Sequence, residues 1–127
     1  MSCPYNYLMT LALGIDPGTA TTGYGLVRLT RDGSLEVVSF GILSTPKDTP
    51  APVRLEMLYN QLRALLKKHK PETAAVEKLF FQRNVSTALA VGQARGVIML
   101  ALQQAGIEAF EYTPNEVKQA VVGYGSA

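Results

Sequence analysis

Two acids stand at the ends of apolar runs in this sequence. Asp16 follows Leu8–Ile15 (LMTLALGI) and opens the tripeptide Asp16-Pro17-Gly18, and Glu77 follows Thr73–Val76 (TAAV). A short apolar run bounded by a turn signal reads as a strand buried on both faces. Were the two strands parallel neighbours, about 4.8 Å apart, both carboxylates would share one C-terminal sheet edge. Carboxylates so placed can share a hard divalent cation, or bracket two cations roughly 3.5–4 Å apart. Open α/β sheets also bind ligands outside the carboxyl ends of their strands. A second reading stands beside this one: Asp16 begins an Asx-type turn, and Glu77 meets a lysine. Just beyond Glu77 come Phe80, Phe81, Arg83 and Asn84. Two adjacent rings in a short strand-to-helix loop cannot both enter the core. An exposed ring stacks on an unpaired base for about 1–3 kcal/mol; the alternative is that both rings cap the core. His69 and Cys3 carry no assigned chemistry.

The elements that must position these groups are legible from periodicity. Thr22–Leu29 and Leu35–Leu43 read as strands joined through the Asp32-Gly33 turn signal, forming an antiparallel meander with the first strand. Thr45–Pro52 holds three prolines and is a connector. Leu55, Leu58, Tyr59, Leu62, Leu65 and Leu66 mark a helix over 53–69, with a proline in its first turn and lysines at its C-terminal dipole. A second helix is expected from about Val85 to Ala105, ended by Gly106, then a strand Ile107–Tyr112 and a short helix from Pro114 to about Val122. The order βββ-α-β-α-β-α predicts one α/β domain over 1–127. Its five-stranded mixed sheet would combine a three-strand meander with two parallel strands, carry helices on both faces, and place the first strand beside the fourth.

Composition narrows the class. A chain of 127 residues with 47% hydrophobic and 17% charged residues folds as one domain. One cysteine permits no internal disulfide and points to a reducing compartment, hence a cytoplasmic location. The apolar N-terminal stretch lacks a basic leader and runs into Asp16-Pro17-Gly18, unlike a signal peptide. The longest unbroken apolar run, Val97–Leu102, is far shorter than the ~20 residues of a bilayer span. Net charge is +2, but residues 54–95 hold 8 basic and 3 acidic groups, a local balance of +5. Such a block suits either a polyanion or a solvated helix face.

Several motifs together resemble the RuvC family of Holliday junction resolvases. They are Leu13-Gly14-Ile15-Asp16-Pro17-Gly18 with Thr22-Gly23-Tyr24-Gly25; Val76-Glu77-Lys78-Leu79-Phe80-Phe81; Gly92-Gln93-Ala94-Arg95-Gly96-Val97; and Tyr112-Thr113-Pro114-Asn115-Glu116-Val117-Lys118-Gln119 with Val122-Gly123-Tyr124-Gly125-Ser126-Ala127. A lone Ile-Asp-Pro-Gly would mean little, but four motifs in order are specific. The resemblance implies a ribonuclease H-like fold and a homodimer that nicks opposed strands of a four-way DNA junction. It implies Mg²⁺, with Mn²⁺ as substitute, in two-metal hydrolysis: Asp16 touches both ions, and Glu77 holds one and helps orient the water. It implies base stacking by Phe80 with Phe81 beside it, phosphate contacts from Arg83, Asn84 and Lys118, and work with a branch-migration complex of RuvA and RuvB type. Arg95, set among small helix residues, reads as a structural or dimer contact.

One departure is substantive. The family pattern carries two further acids on a C-terminal helix, and this sequence shows no match to them. The other aspartates, Asp32 and Asp48, fall in the hairpin turn and the connector and cannot substitute. The sequence therefore reads as a C-terminally shortened form, catalytically inactive as it stands. Two other classes remain at this stage. One is a non-catalytic nucleic-acid-binding module of the same fold. The other is an actin- or sugar-kinase-like nucleotide-binding domain, which shares Gly-Ile-Asp-x-Gly-Thr-like openings but needs two large domains.

Overall fold

The computed structural model describes residues 10–18, 20–78 and 85–113. Strands β1 (Leu11–Asp16), β2 (Thr21–Leu29) and β3 (Leu35–Ser44) lead into helix α1 (Ala51–His69), strand β4 (Thr73–Glu77), helix α2 (Val85–Gln104) and strand β5 (Glu108–Tyr112). The sheet order is β3-β2-β1-β4-β5. β1 pairs antiparallel with β2 and parallel with β4, and β4 pairs parallel with β5. The meander, the two parallel strands and the central β1 therefore stand as the sequence predicts. The helix expected from Pro114 lies outside the described residues.

Local chemistry explains each element. The β2–β3 turn places Gly33 at φ +87, a conformation glycine adopts without a Cβ penalty. Asp32 ties the turn by accepting hydrogen bonds from Ser34 Oγ and Thr30 Oγ1, each at 2.6 Å; these, with Ser34 the larger cause, hold its carboxyl down at about 2. Helix α1 starts at Ala51, two residues earlier than its apolar stripe indicates, because prolines there cost no intrahelical hydrogen bond. It ends at Lys70, which takes the left-handed conformation at φ 49 and donates its N–H to Leu66 O at 2.8 Å. Helix α2 is stopped by Gly106 at φ +74.

The core lies on one face of the sheet. Leu11, Leu13 and Ile15 of β1, Leu26 of β2, and Ala74 and Val76 of β4 pack against Leu58, Leu62 and Leu66 of α1 and Ala94, Ile98, Ala101 and Leu102 of α2. Helix α2 has the length and apolar composition of a membrane span, yet its buried side belongs to this core. The alternate residues Ala12, Gly14 and Asp16 point to the other face, where the described residues place no helix. β1 is thus buried on one face only, because both described helices cover the same side. Phe40, Ile42 and Phe110 share the uncovered face by register and are exposed.

Leu13 is 1% exposed at the centre of this core. Leu13→Ala should cost about 3 kcal/mol of stability by urea unfolding, with the denaturant slope unchanged. A cost below about 1 kcal/mol would mean that the core does not close on β1.

Candidate functional site

The pairing of β1 with β4 builds the site. Ile15 stands opposite Val76, so the next residues, Asp16 and Glu77, end neighbouring parallel strands at the same edge. Adjacent strands lie about 4.8 Å apart. Alternation turns both acids away from the helices, because Leu13, Ile15, Ala74 and Val76 take the helical face. Glu77 faces Asp16 closely enough to change its acidity. Burial first, then the Asp16 charge, then a hydrogen bond to Asp16 that needs the protonated acid, push the Glu77 carboxyl above its ordinary value. Among the described residues Glu77 joins no ion pair with a lysine.

A third group, Tyr112, completes the edge. It lies opposite Glu77 in the β4–β5 register, and its carbonyl accepts the Lys78 N–H at 2.7 Å. Burial, then the charges of Glu77 and Asp16, push its hydroxyl above the usual range. The sequence reading attached no role to Tyr112. The available signal was its place as the last residue of a third parallel strand, equivalent to Asp16 and Glu77 on theirs.

The surroundings of Asp16 are shaped by glycine. A Cβ on Gly18 would collide with the Thr21 carbonyl, so the turn after Asp16 closes only with glycine there. Gly14, Gly23 and Gly25 share the face of Asp16, and the register sets Gly23 directly opposite it. A Cβ on Gly25 would meet nothing within 4 Å. The floor beside the acids is bare backbone, which leaves room for a close approach.

Further from the acids, Arg95 of α2 forms an ion pair with Glu111 of β5. This pair ties the helix to the strand that carries Tyr112 and matches the structural reading of Arg95. Phe80, Phe81, Arg83, Asn84 and Lys118 lie outside the described residues. Among the described residues, several cations of the basic block lie away from the acids. Arg54 bonds Thr45 Oγ1 at 3.3 Å, Arg95 is paired, and Arg63, Lys67 and Lys70 gather at the opposite end of the sheet.

The donor set fits a divalent cation. The cost of ionising Glu77, raised by burial and by the Asp16 charge, is relieved by a hard cation, and oxygen donors are what Mg²⁺ and Mn²⁺ prefer. No cluster of three or more acids, histidines or cysteines occurs among the described residues.

A mixed sheet in this strand order, with acids closing its two central parallel strands, is the framework of a ribonuclease H-like nuclease, a class that depends on divalent metal. The chain belongs to the crossover junction endodeoxyribonuclease RuvC family, whose model matches residues 12–127. The Chloroflexus aggregans crossover junction endodeoxyribonuclease RuvC is 62% identical over 117 residues, covering 91% of this chain and 70% of that one. The Thermus thermophilus RuvC structure superposes with a TM-score of 0.81 at 33% identity, covering 93% of this chain and 72% of that chain. T. thermophilus RuvC in complex with Holliday junction substrate superposes at 0.80 with 31% identity, covering 87% and 69%. The family removes the nucleotide-binding alternative.

The Glu77 shift sets a pH dependence. The fold favours the protonated acid, so native stability is intact below the ordinary value of 4.5 and falls as pH rises above it. Without divalent metal, Glu77→Gln should raise the melting temperature by a few degrees at pH 7, with the gain vanishing near pH 4. A gain of equal size at both pH values would show that the acid pair is not its source.

Proposed function

We propose that this chain carries the metal-binding half of the catalytic centre of a nuclease that resolves four-way DNA junctions by paired symmetric nicks. The observation that supports this reading most directly is the placement of Asp16 and Glu77 on adjacent parallel strands. Asp16 and Glu77 hold Mg²⁺, or Mn²⁺ in its place. The cation, when bound, supplies charge neutralisation at the scissile phosphate and a more acidic water. The chain's own groups do the remaining work. Asp16 presents its carboxylate at the end of a rigid central strand. Glu77 would hold the cation beside Asp16 and help orient a water. Tyr112 walls the β5 side and keeps bulk water from Glu77.

The wider reading follows the family. The active species is a homodimer, since two opposed strands require two centres. Phe80 stacks on an unpaired base with Phe81 beside it, and Arg83, Asn84 and Lys118 contact phosphates. A branch-migration complex of RuvA and RuvB type delivers the junction in the cytoplasm.

Asp16→Asn is nearly isosteric and removes a charge that a hard cation requires. Calorimetric titration with Mn²⁺ should show affinity reduced roughly tenfold or more, with the melting temperature within a few degrees of the parent. Unchanged affinity would remove Asp16 from the metal site, and a collapse in melting temperature would assign it to the turn.

A second reading, DNA binding without cleavage, is favoured for the 127-residue polypeptide because only two carboxylates converge at the described site. Two carboxylates hold one cation loosely and do not fix two for in-line attack. The purified polypeptide, checked by mass, should bind a four-way junction with an affinity that falls with salt, and should not cut it. Appending a C-terminal helix with two inward aspartates should restore nicking. Symmetric Mg²⁺-dependent nicks from the polypeptide alone, at a rate comparable to a longer relative, would overturn this reading.

A further inference from the structure

A groove of about 640 Å³ runs between the C-terminal ends of α1 and α2. Leu66, Ala101 and Ile107 form its apolar floor, and Arg63, Lys67 and Lys70 stand exposed around it. Among the described residues no acidic side chain lines it. It lies at the opposite end of the molecule from the acids: Lys70 and Pro71 lead into the first residue of β4, whereas Glu77 is its last. It also opens on the helical side of the sheet, while Asp16 and Glu77 face the other side.

Three features mark the groove as built. Arg63 is held over the Tyr59 ring at 5.6 Å, a cation–π contact that restricts the guanidinium. Tyr59 in turn hydrogen-bonds Gln104, which fixes the width between the two helices. Lys70 occupies the left-handed C-cap, where glycine would sit without strain. The negative C-terminal dipole of α1 accounts for lysines in its last turn. It does not account for a lysine in the left-handed position, nor for Arg63 a turn further back.

We infer that this groove docks an acidic segment of a partner protein, one that carries apolar side chains between its carboxylates. Arg63 offers a planar fork to one carboxylate, and Lys67, four residues on along the same helix face, meets the next. Lys70 takes a third, and the floor accepts the intervening apolar side chain. Nucleic acid fits less well. Among the described residues no aromatic side chain lines the groove, so it offers no stacking platform for a base. A DNA strand engaged at Asp16 and Glu77 would also have to pass from the uncovered sheet face around to the helical one.

The inference is independent of the metal site, and its test keeps the two apart. The probe is a fluorescein-labelled peptide of glutamate pairs separated by single leucines, followed by anisotropy. An all-glutamate peptide and an oligothymidylate of equal length are the comparators. The wild-type chain should bind the glutamate–leucine peptide more tightly than either comparator, and Lys67→Glu should weaken it roughly tenfold or more. Lys70→Gly removes a cation while relieving the backbone, so it should weaken peptide binding with the melting temperature unchanged or raised. Asp16→Asn should leave peptide binding as it is. The inference is overturned if the wild type does not prefer the glutamate–leucine peptide, or if Lys67→Glu and Lys70→Gly leave its binding unchanged. It is also overturned if those variants lower affinity for oligothymidylate or a four-way junction as much as for the peptide, which would make the groove a nucleic-acid site.

Discussion

The parallel pairing of β1 with β4 is the constraint on which the rest of the structure depends. Leu13, Ile15 and Val76 are almost fully buried against the helices, each stabilising the fold by about 1.5–3 kcal/mol. A slip of one residue would reverse the faces of a strand. It would expose those side chains and turn Asp16 or Glu77 into the core, where an unpaired carboxylate costs several kcal/mol more. Apolar burial and carboxylate hydration therefore select the same register. That register delivers two acids to adjacent strand ends on the uncovered face.

The same arrangement places Glu77 under stress. Burial and then the Asp16 charge raise the cost of ionising Glu77, and Tyr112 on the third strand is raised by burial and then by both acids. A fold selected for stability alone would separate these charges. They converge at the carboxyl edge of the parallel strands, beside a floor of glycine backbone, where oxygen donors of this kind suit a divalent cation. The helices contribute indirectly: α1 and α2 cover the opposite face, and the Arg95–Glu111 pair anchors β5 so that Tyr112 stays in line with Glu77.

Positive charge is distributed with equal consequence. The block at residues 54–95 looks like one patch in sequence, but the fold separates its members among the described residues. Arg54 and Arg95 are engaged in internal contacts, and Arg63, Lys67 and Lys70 gather around a groove at the far end of the strands. Two chemically distinct surfaces follow, an acidic edge on one face and a basic groove on the other.

Much of this was legible in the residues. Alternation and turn signals located all five strands and both described helices to within about three residues, and the apolar runs ending in Asp16 and Glu77 marked the acids before any fold was known. The reason is that strand period, turn chemistry and helix stripes are local properties, written in neighbouring residues. The motifs also pointed to the family that comparison then showed. What the sequence could not decide was long-range. Whether Asp16 and Glu77 stood side by side or apart, as separate turn and ion-pair residues, depended on the pairing of strands roughly sixty residues apart. The place of Tyr112 in line with them required the β4–β5 register, and burial of β1 on one face required both helices to pack on the same side. The division of the basic block followed from helix direction relative to the sheet. Each of these depends on which distant surfaces exclude water together, and that is determined only when the tertiary structure closes.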